Sequence, residues 1–116
     1  MEMNDNPYDK AHELVRAIQA DERYRRLAVA LRLLNANPEA KKKLDLFRNL
    51  QMEVNQAELL GQPVAEEQVQ QVALEYAKLS RNKLIGEVFD AEAGFIQLFS
   101  DIQQIIQKGL ESEFAL

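Results

Sequence analysis

Residues 83–113, KLIGEVFDAEAGFIQLFSDIQQIIQKGLESE, decide the architecture. Within them Ile85, Val88, Glu92, Phe95, Phe99, Ile102, Ile106 and Gly109 recur in alternating steps of three and four, the spacing that keeps positions in line along one side of an α-helix. Sustained for more than three heptads, such a line is a seam for packing against other helices. Phe89, Ile96, Leu98, Ile105 and Leu110 widen it, adding more apolar surface than a single neighbouring helix covers. The segment is therefore predicted as a central helix from about Lys83 to Glu113, touching two or more neighbours. At ~1.5 Å per residue it would be about 45 Å long, and the helix predicted over residues 38–60 about 35 Å. A compact chain of this length has a radius of gyration of only about 13 Å. The longest helix then overhangs a compact monomer. We expect an all-α fold: an elongated bundle of about five helices that self-associates as a homodimer or a dimer of dimers. Ile85, Val88, Phe95, Phe99, Ile102 and Ile106 are its candidate oligomer interface.

Working outward, the remaining punctuation also reads as helix ends. Asn6-Pro7 and Asn37-Pro38 place a capping amide before a proline, at the first helical position where a missing N–H has no intrahelical partner to lose. They open helices predicted over Pro7 to Ala20 and Pro38 to Leu60. Asp21 can cap a helix reaching Asn35, and Asn82 can cap the long one. Gly61 supplies the left-handed residue that ends a helix, and Pro63 forbids its continuation; a further helix is predicted over Ala65 to Ser80. Ala11, Leu14, Val15 and Ile18 form the expected inner face of the first helix, and Tyr24, Leu27, Ala28, Leu31 and Leu34 that of the second. The β-branched residues sit at helical spacing, and no Asn-Gly or Asp-Gly turn joins two alternating runs. Residues 1–116 are read as a single helical domain.

Composition narrows the function classes. The 116 residues are 47% hydrophobic and 28% charged, with a net charge of −5, which argues against a protein that mainly coats nucleic acid or an anionic membrane. Residues 1–7, MEMNDNP, show neither the basic nor the apolar region of a secretory signal, and no apolar run reaches the ~18 residues of a membrane span. A cytoplasmic chain without membrane insertion is expected. There is no Cys and no Thr, one histidine (His12), and three serines, Ser80, Ser100 and Ser112. Disulfides, thiolate-held metals and cysteine nucleophiles are thereby excluded, and triads lack parts. No catalytic residue, cofactor or metal ligand set is assigned, and the chain is read as a non-enzyme.

Three features still invite chemistry. Glu92 is the one charged residue on the seam, and a buried carboxylate must be paired or protonated. It reads as a general base or metal ligand, or as a seam carboxylate bonded to Arg48, Tyr76 or a partner chain and fixing register. A di-metal site would want Glu-x-x-His pairs on two helices, which the sequence lacks. His12 and Glu13 are adjacent, so they point about 100° apart, and His12 reads as a surface or edge histidine. Charge is also segregated: from Arg23 to Arg48 eight bases face two acids, whereas from Leu59 onward four bases face nine acids. Arg23, Arg25, Arg26, Lys41, Lys42 and Lys43 are the candidate partner-binding residues, a docking face for RNA or an acidic protein. The plain alternative is a solvated face with i,i+4 pairs such as Glu39 with Lys43. Tyr24 and Phe47 lie in register with the apolar faces, so no aromatic pattern suited to stacking bases is exposed, and nucleic acid is the less favoured partner. Gly86 and Gly94, inside the long helix, read as sites of close helix crossing or of a groove.

As an ordered set, Asn6-Pro7-Tyr8-Asp9-Lys10-Ala11-His12-Glu13-Leu14, Asn37-Pro38-Glu39-Ala40, Phe47-Arg48 with Gln51, Gly61, Leu79-Ser80, Ala91-Glu92 with Phe95, and Asp101-Ile102 resemble the YlbF/YmcA/YheA family of small bacterial helical proteins. The resemblance covers nearly the whole chain. It implies an all-helical, elongated bundle that self-associates. For the YlbF and YmcA branches it further implies a heteromeric regulatory complex that acts in competence, biofilm formation and sporulation, tunes messenger RNA cleavage by a membrane-bound ribonuclease, and is associated with cysteine-held iron–sulfur clusters. This chain has no cysteine, so it looks closest to the cysteine-free YheA-like branch and no cluster is carried over. The expected function is a bacterial protein–protein interaction or regulatory module that binds itself and docks a regulatory protein. An RNA-associated adaptor modulating messenger RNA processing is the alternative.

Overall fold

The computed structural model describes residues 6–114. They form five helices, α1 (Pro7–Ala20), α2 (Glu22–Asn35), α3 (Pro38–Leu59), α4 (Glu66–Leu79) and α5 (Lys83–Phe114), and no strand is present among the described residues. Each predicted boundary falls within a residue of the observed one because the caps form as the sequence demands. The Asn6 amide oxygen accepts from the Tyr8 N–H at 2.7 Å, and that of Asn37 from the Ala40 N–H at 3.1 Å. Asn82 accepts from the N–H groups of Leu84 (3.0 Å) and Ile85 (3.1 Å), satisfying two donors that have no intrahelical partner. At the end of α3, Gly61 adopts φ +69°. There the Gln62 N–H donates to the Ala57 carbonyl at 2.8 Å and the Gly61 N–H to the Glu58 carbonyl at 3.2 Å, a Schellman closure in which only a residue without Cβ is unstrained.

Asp21 serves two helices at once. Its N–H donates to the Ile18 carbonyl and ends α1, while its carboxylate accepts from the Arg23 N–H at 2.8 Å and opens α2. The Arg23 guanidinium closes a two-pronged pair on the same carboxylate, Nε to Oδ1 and Nη2 to Oδ2, each at 3.0 Å. Those side-chain hydrogen bonds, followed by the backbone one, hold the Asp21 carboxyl down at about 2, and the Arg23 pKa is raised chiefly by the same bonds.

The chain divides into two compact units, residues 30–90 and residues 6–29 with 91–114. In the 30–90 unit α3 packs against α4. Its core holds Ala30, Leu34, Ala40, Leu44, Phe47, Val54, Leu79, Ile85 and Val88, the last two with no exposed surface. Phe89 of α5 stacks on Tyr76 of α4 with ring centroids 4.8 Å apart and meets Phe47 of α3 edge-on at 6.0 Å, so α5 does engage two neighbours here. Gly86 lets the connection before α5 close tightly: a Cβ at this position would lie 2.6 Å from the Ser80 carbonyl oxygen.

In the other unit, Tyr24 of α2 meets Phe95 of α5 edge-on at 6.1 Å, and Phe95 stacks against Phe99 at 6.3 Å. A Cβ at Gly94 would rest 3.6 Å from the Arg23 Cγ, ordinary contact rather than an enforced close approach. The expected inner face of α1 is not sealed. No residue of α1 is buried, and Leu14 and Val15 are exposed. Its amphipathic pattern makes the helix, and among the described residues its apolar side is only partly covered.

Candidate functional site

The predicted oligomer seam on α5 separates into three groups. Ile85 and Val88 are completely buried within the chain, which corrects their assignment to an interface between copies: their positions are already filled by the chain's own core. Phe95 and Ile102 are half-buried, whereas Phe99 and Ile106 remain about half exposed, at 46% and 54%. Alongside them Ile96 and Leu110 are open at 64% and 46%. The uncovered stripe therefore shares Phe99 and Ile106 with the sequence seam and otherwise lies to one side of it. It runs through Ile96, Phe99, Gln103, Ile106 and Leu110 with its own three-four-three-four spacing. Ile105, at 71% exposure, adds apolar surface on the other side of the half-buried line.

Glu92, the seam carboxylate, is half-buried and engaged in an interaction of its own. Among the described residues, no group of three or more His, Asp or Glu side chains is placed to hold a metal ion. His12 is exposed.

The basic candidates belong to different units, Arg23, Arg25 and Arg26 to one and Lys41, Lys42 and Lys43 to the other. All six are exposed, yet several are already engaged. Arg23 is clamped on Asp21, and Lys41 pairs with Asp45 at 3.1 Å along α3. That i,i+4 pair forms two residues beyond the expected Glu39–Lys43 one. Arg26 has an interaction of its own.

A groove missed at the sequence level runs between α3 and α4 in the 30–90 unit, with a volume of about 650 Å³. Leu46, Phe47, Leu50 and Leu79 give it an apolar floor, and Lys43, Gln71, Glu75, Lys78 and Asn82 a polar rim. Leu46 was the available signal: a leucine two residues from Leu44, off the buried face of α3, and 60% exposed. The rim mixes both charges, Lys43 and Lys78 with Glu75, beside the amides of Gln71 and Asn82.

Five helices with capped ends and several apolar side chains left open on their faces define a small all-helical chain. The profile of the family described as "Control of competence regulator ComK, YlbF/YmcA" matches residues 8–111, and the chain belongs to that family. It is 35% identical over 106 residues to a UPF0342 protein of Shouchella clausii, covering 91% of this chain and 90% of that one. It is 33% identical over 110 residues to a UPF0342 protein of Staphylococcus aureus, covering 95% and 96%. Among solved structures it resembles a protein of unknown function (DUF964) from Bacillus stearothermophilus, with a TM-score of 0.82 and 21% identity over 90% of this chain and 91% of that one. That likeness establishes the shared helical fold. Among the described residues, no helix is long and apolar enough to cross a membrane.

Proposed function

We propose that this chain is a non-enzymatic, cytoplasmic interaction module of a bacterial cell, which associates with itself and docks a regulatory protein. One observation carries the reading: α5 keeps Ile96, Phe99, Ile105, Ile106 and Leu110 largely open to water. Burying apolar surface contributes roughly 25 cal/mol per Å², so the four apolar side chains of the open stripe, with Ile105 beyond it, are a standing driving force for association. Membership in a family described by control of a competence regulator supports a regulatory role exercised through contact. Docking of a regulatory protein would fall to surfaces that self-association leaves open, among them the α3–α4 groove with its mixed rim. The RNA-adaptor alternative draws less support, because Arg23 and Lys41 are engaged by Asp21 and Asp45.

Light scattering during gel filtration tests the first half. We expect a mass of two or four chains at micromolar concentration, and the 13.3 kDa monomer alone would remove the proposal. Affinity purification from native lysate at two salt concentrations, with crosslinking, tests the second half. A stoichiometric protein crosslinked to α3 or α4 is the expected result. Recovery of RNA with log-linear salt dependence would favour the alternative instead.

A further inference from the structure

The groove between α3 and α4 has two unlike ends. The six residues that join these helices reach at most about 20 Å. That is shorter than α3 itself, about 33 Å, so α4 returns antiparallel along it. The Phe47 and Tyr76 rings, with centroids 6.3 Å apart, fix the register. Lys43 of α3 is thereby level with Lys78 and Leu79 of α4 and with Asn82 just beyond, whereas Leu50 lies toward Gln71 at the other end. We propose that this groove binds a single-chain aliphatic carboxylate, with the carboxylate at the Lys43–Lys78–Asn82 end and the alkyl chain along Leu46, Phe47 and Leu50.

The polar groups at that end are donors without an acceptor. Lys41 is neutralised by Asp45 at 3.1 Å, but Lys43 and Lys78 enter no ion pair among the described residues. The Asn82 amide oxygen is spent on the N–H groups of Leu84 and Ile85, which leaves its own N–H groups to donate. In a chain of net charge −5, two uncompensated ammonium groups beside an apolar floor call for an anion with an apolar body. Phe47 and Leu79 seal the bottom of the groove, while Leu46, 60% exposed, still has surface to lose to a ligand. The volume of about 650 Å³ is that of a small-molecule site. Glu75 sets the number of charges. It lies one turn before Lys78 on the same rim and is likewise outside any ion pair among the described residues, so it repels a second anionic group and admits one at the basic end only. Both walls belong to residues 30–90 of a single chain, so the inference is independent of the self-association and docking proposed above.

Titration of the isotope-labelled full chain with sodium decanoate, below its micellar concentration and followed by amide NMR shifts, tests the site. Saturable shifts at the groove residues of α3 and α4 are expected. In a series from hexanoate to dodecanoate, affinity should rise about two- to fourfold per added methylene and level off once the chain outruns the ~10 Å from Lys43 to Leu50. Decanol, the same chain without the charge, should bind at least roughly tenfold more weakly. Lys43→Gln combined with Lys78→Gln alters exposed positions only; it should weaken decanoate at least roughly tenfold and leave decanol unchanged. Glu75→Gln should admit the two-headed decanedioate, which the native groove excludes. Equal affinity for decanol and decanoate, or shifts confined to the open stripe of α5, would show unspecific uptake on apolar surface and overturn the inference. Groove amides that move on diluting the protein but not on adding decanoate would give the groove to a second copy. Saturation by a glutamate-bearing helical peptide where decanoate has no effect would give it to a protein partner. Either of these results overturns the inference and leaves the proposed self-association standing.

Discussion

Between Lys83 and Asp90, α5 sends Ile85 and Val88 into a closed core and lays Phe89 against Tyr76 and Phe47. Beyond Ala91 the same helix, with the same apolar spacing, leaves Ile96, Phe99, Ile105, Ile106 and Leu110 in contact with water. Propensity and periodicity are alike in the two halves, so they do not set the difference. What differs is the supply of neighbours: α3 and α4 offer Phe47 and Tyr76 to the first half, whereas Tyr24 of α2 is the ring that meets the second. Hydrophobic periodicity reports that a face is to be covered, and it is silent on whether the cover comes from the same chain.

Truncating one residue in each half should produce the widest divergence. Ile85→Ala is expected to cost the monomer about 2–5 kcal/mol, read as a lowered urea midpoint. Ile106→Ala should change monomer stability by no more than about 0.5 kcal/mol while weakening self-association, and a loss at Ile106 matching that at Ile85 would break the comparison. The glycines of α5 sharpen it next. Gly86→Ala forces a Cβ to within 2.6 Å of a backbone carbonyl and should destabilise by about 1–3 kcal/mol. Gly94→Ala meets only the Arg23 side chain at 3.6 Å, and there the gain in helix propensity should win, by up to about 1 kcal/mol; thermal midpoints of the pair should move in opposite directions.

A smaller effect is expected at Asn82. Its replacement by Ala removes both cap bonds at the start of α5 and should cost about 1 kcal/mol, with hydrogen exchange speeding first at Leu84 and Ile85. The smallest belongs to Asp21. Its carboxyl titrates lower in the folded chain, about 2, than the ordinary 3.8, so the unfolded state binds the proton more readily. The stability this confers is fully present above pH 3.8, and it is lost as pH falls through about 2. Asp21→Asn should therefore lower the unfolding midpoint slightly at neutral pH and flatten its dependence on pH between those values.

The helices were legible in the sequence because their ends are written in local chemistry: Asn6, Asn37 and Asn82 each find a donor two or three residues ahead, and Gly61 takes the conformation other residues avoid. The site was less so. Ile85 and Ile106 share one sequence line yet differ from complete burial to 54% exposure, a distinction made by residues far away in the chain. The α3–α4 groove was invisible for the same reason. Its walls come from two helices, and neither pattern alone shows the space between them. Gly86 read as a place of close crossing, but the close contact is with the backbone of Ser80, a neighbour along the chain rather than another helix.

The double duty of Asp21 bears on where this molecule can be remodelled. Among the described residues, one residue separates α1 from α2, two separate α2 from α3, and three separate α4 from α5; every one of those joints contains a side chain that caps a helix. The six residues between α3 and α4 are different, since Gln62 and Pro63 are exposed and α4 starts without a side-chain cap. A reporter peptide or an extra domain can be spliced there without dismantling a cap. At the other three joints, added length would separate an amide or carboxylate from the N–H groups it holds.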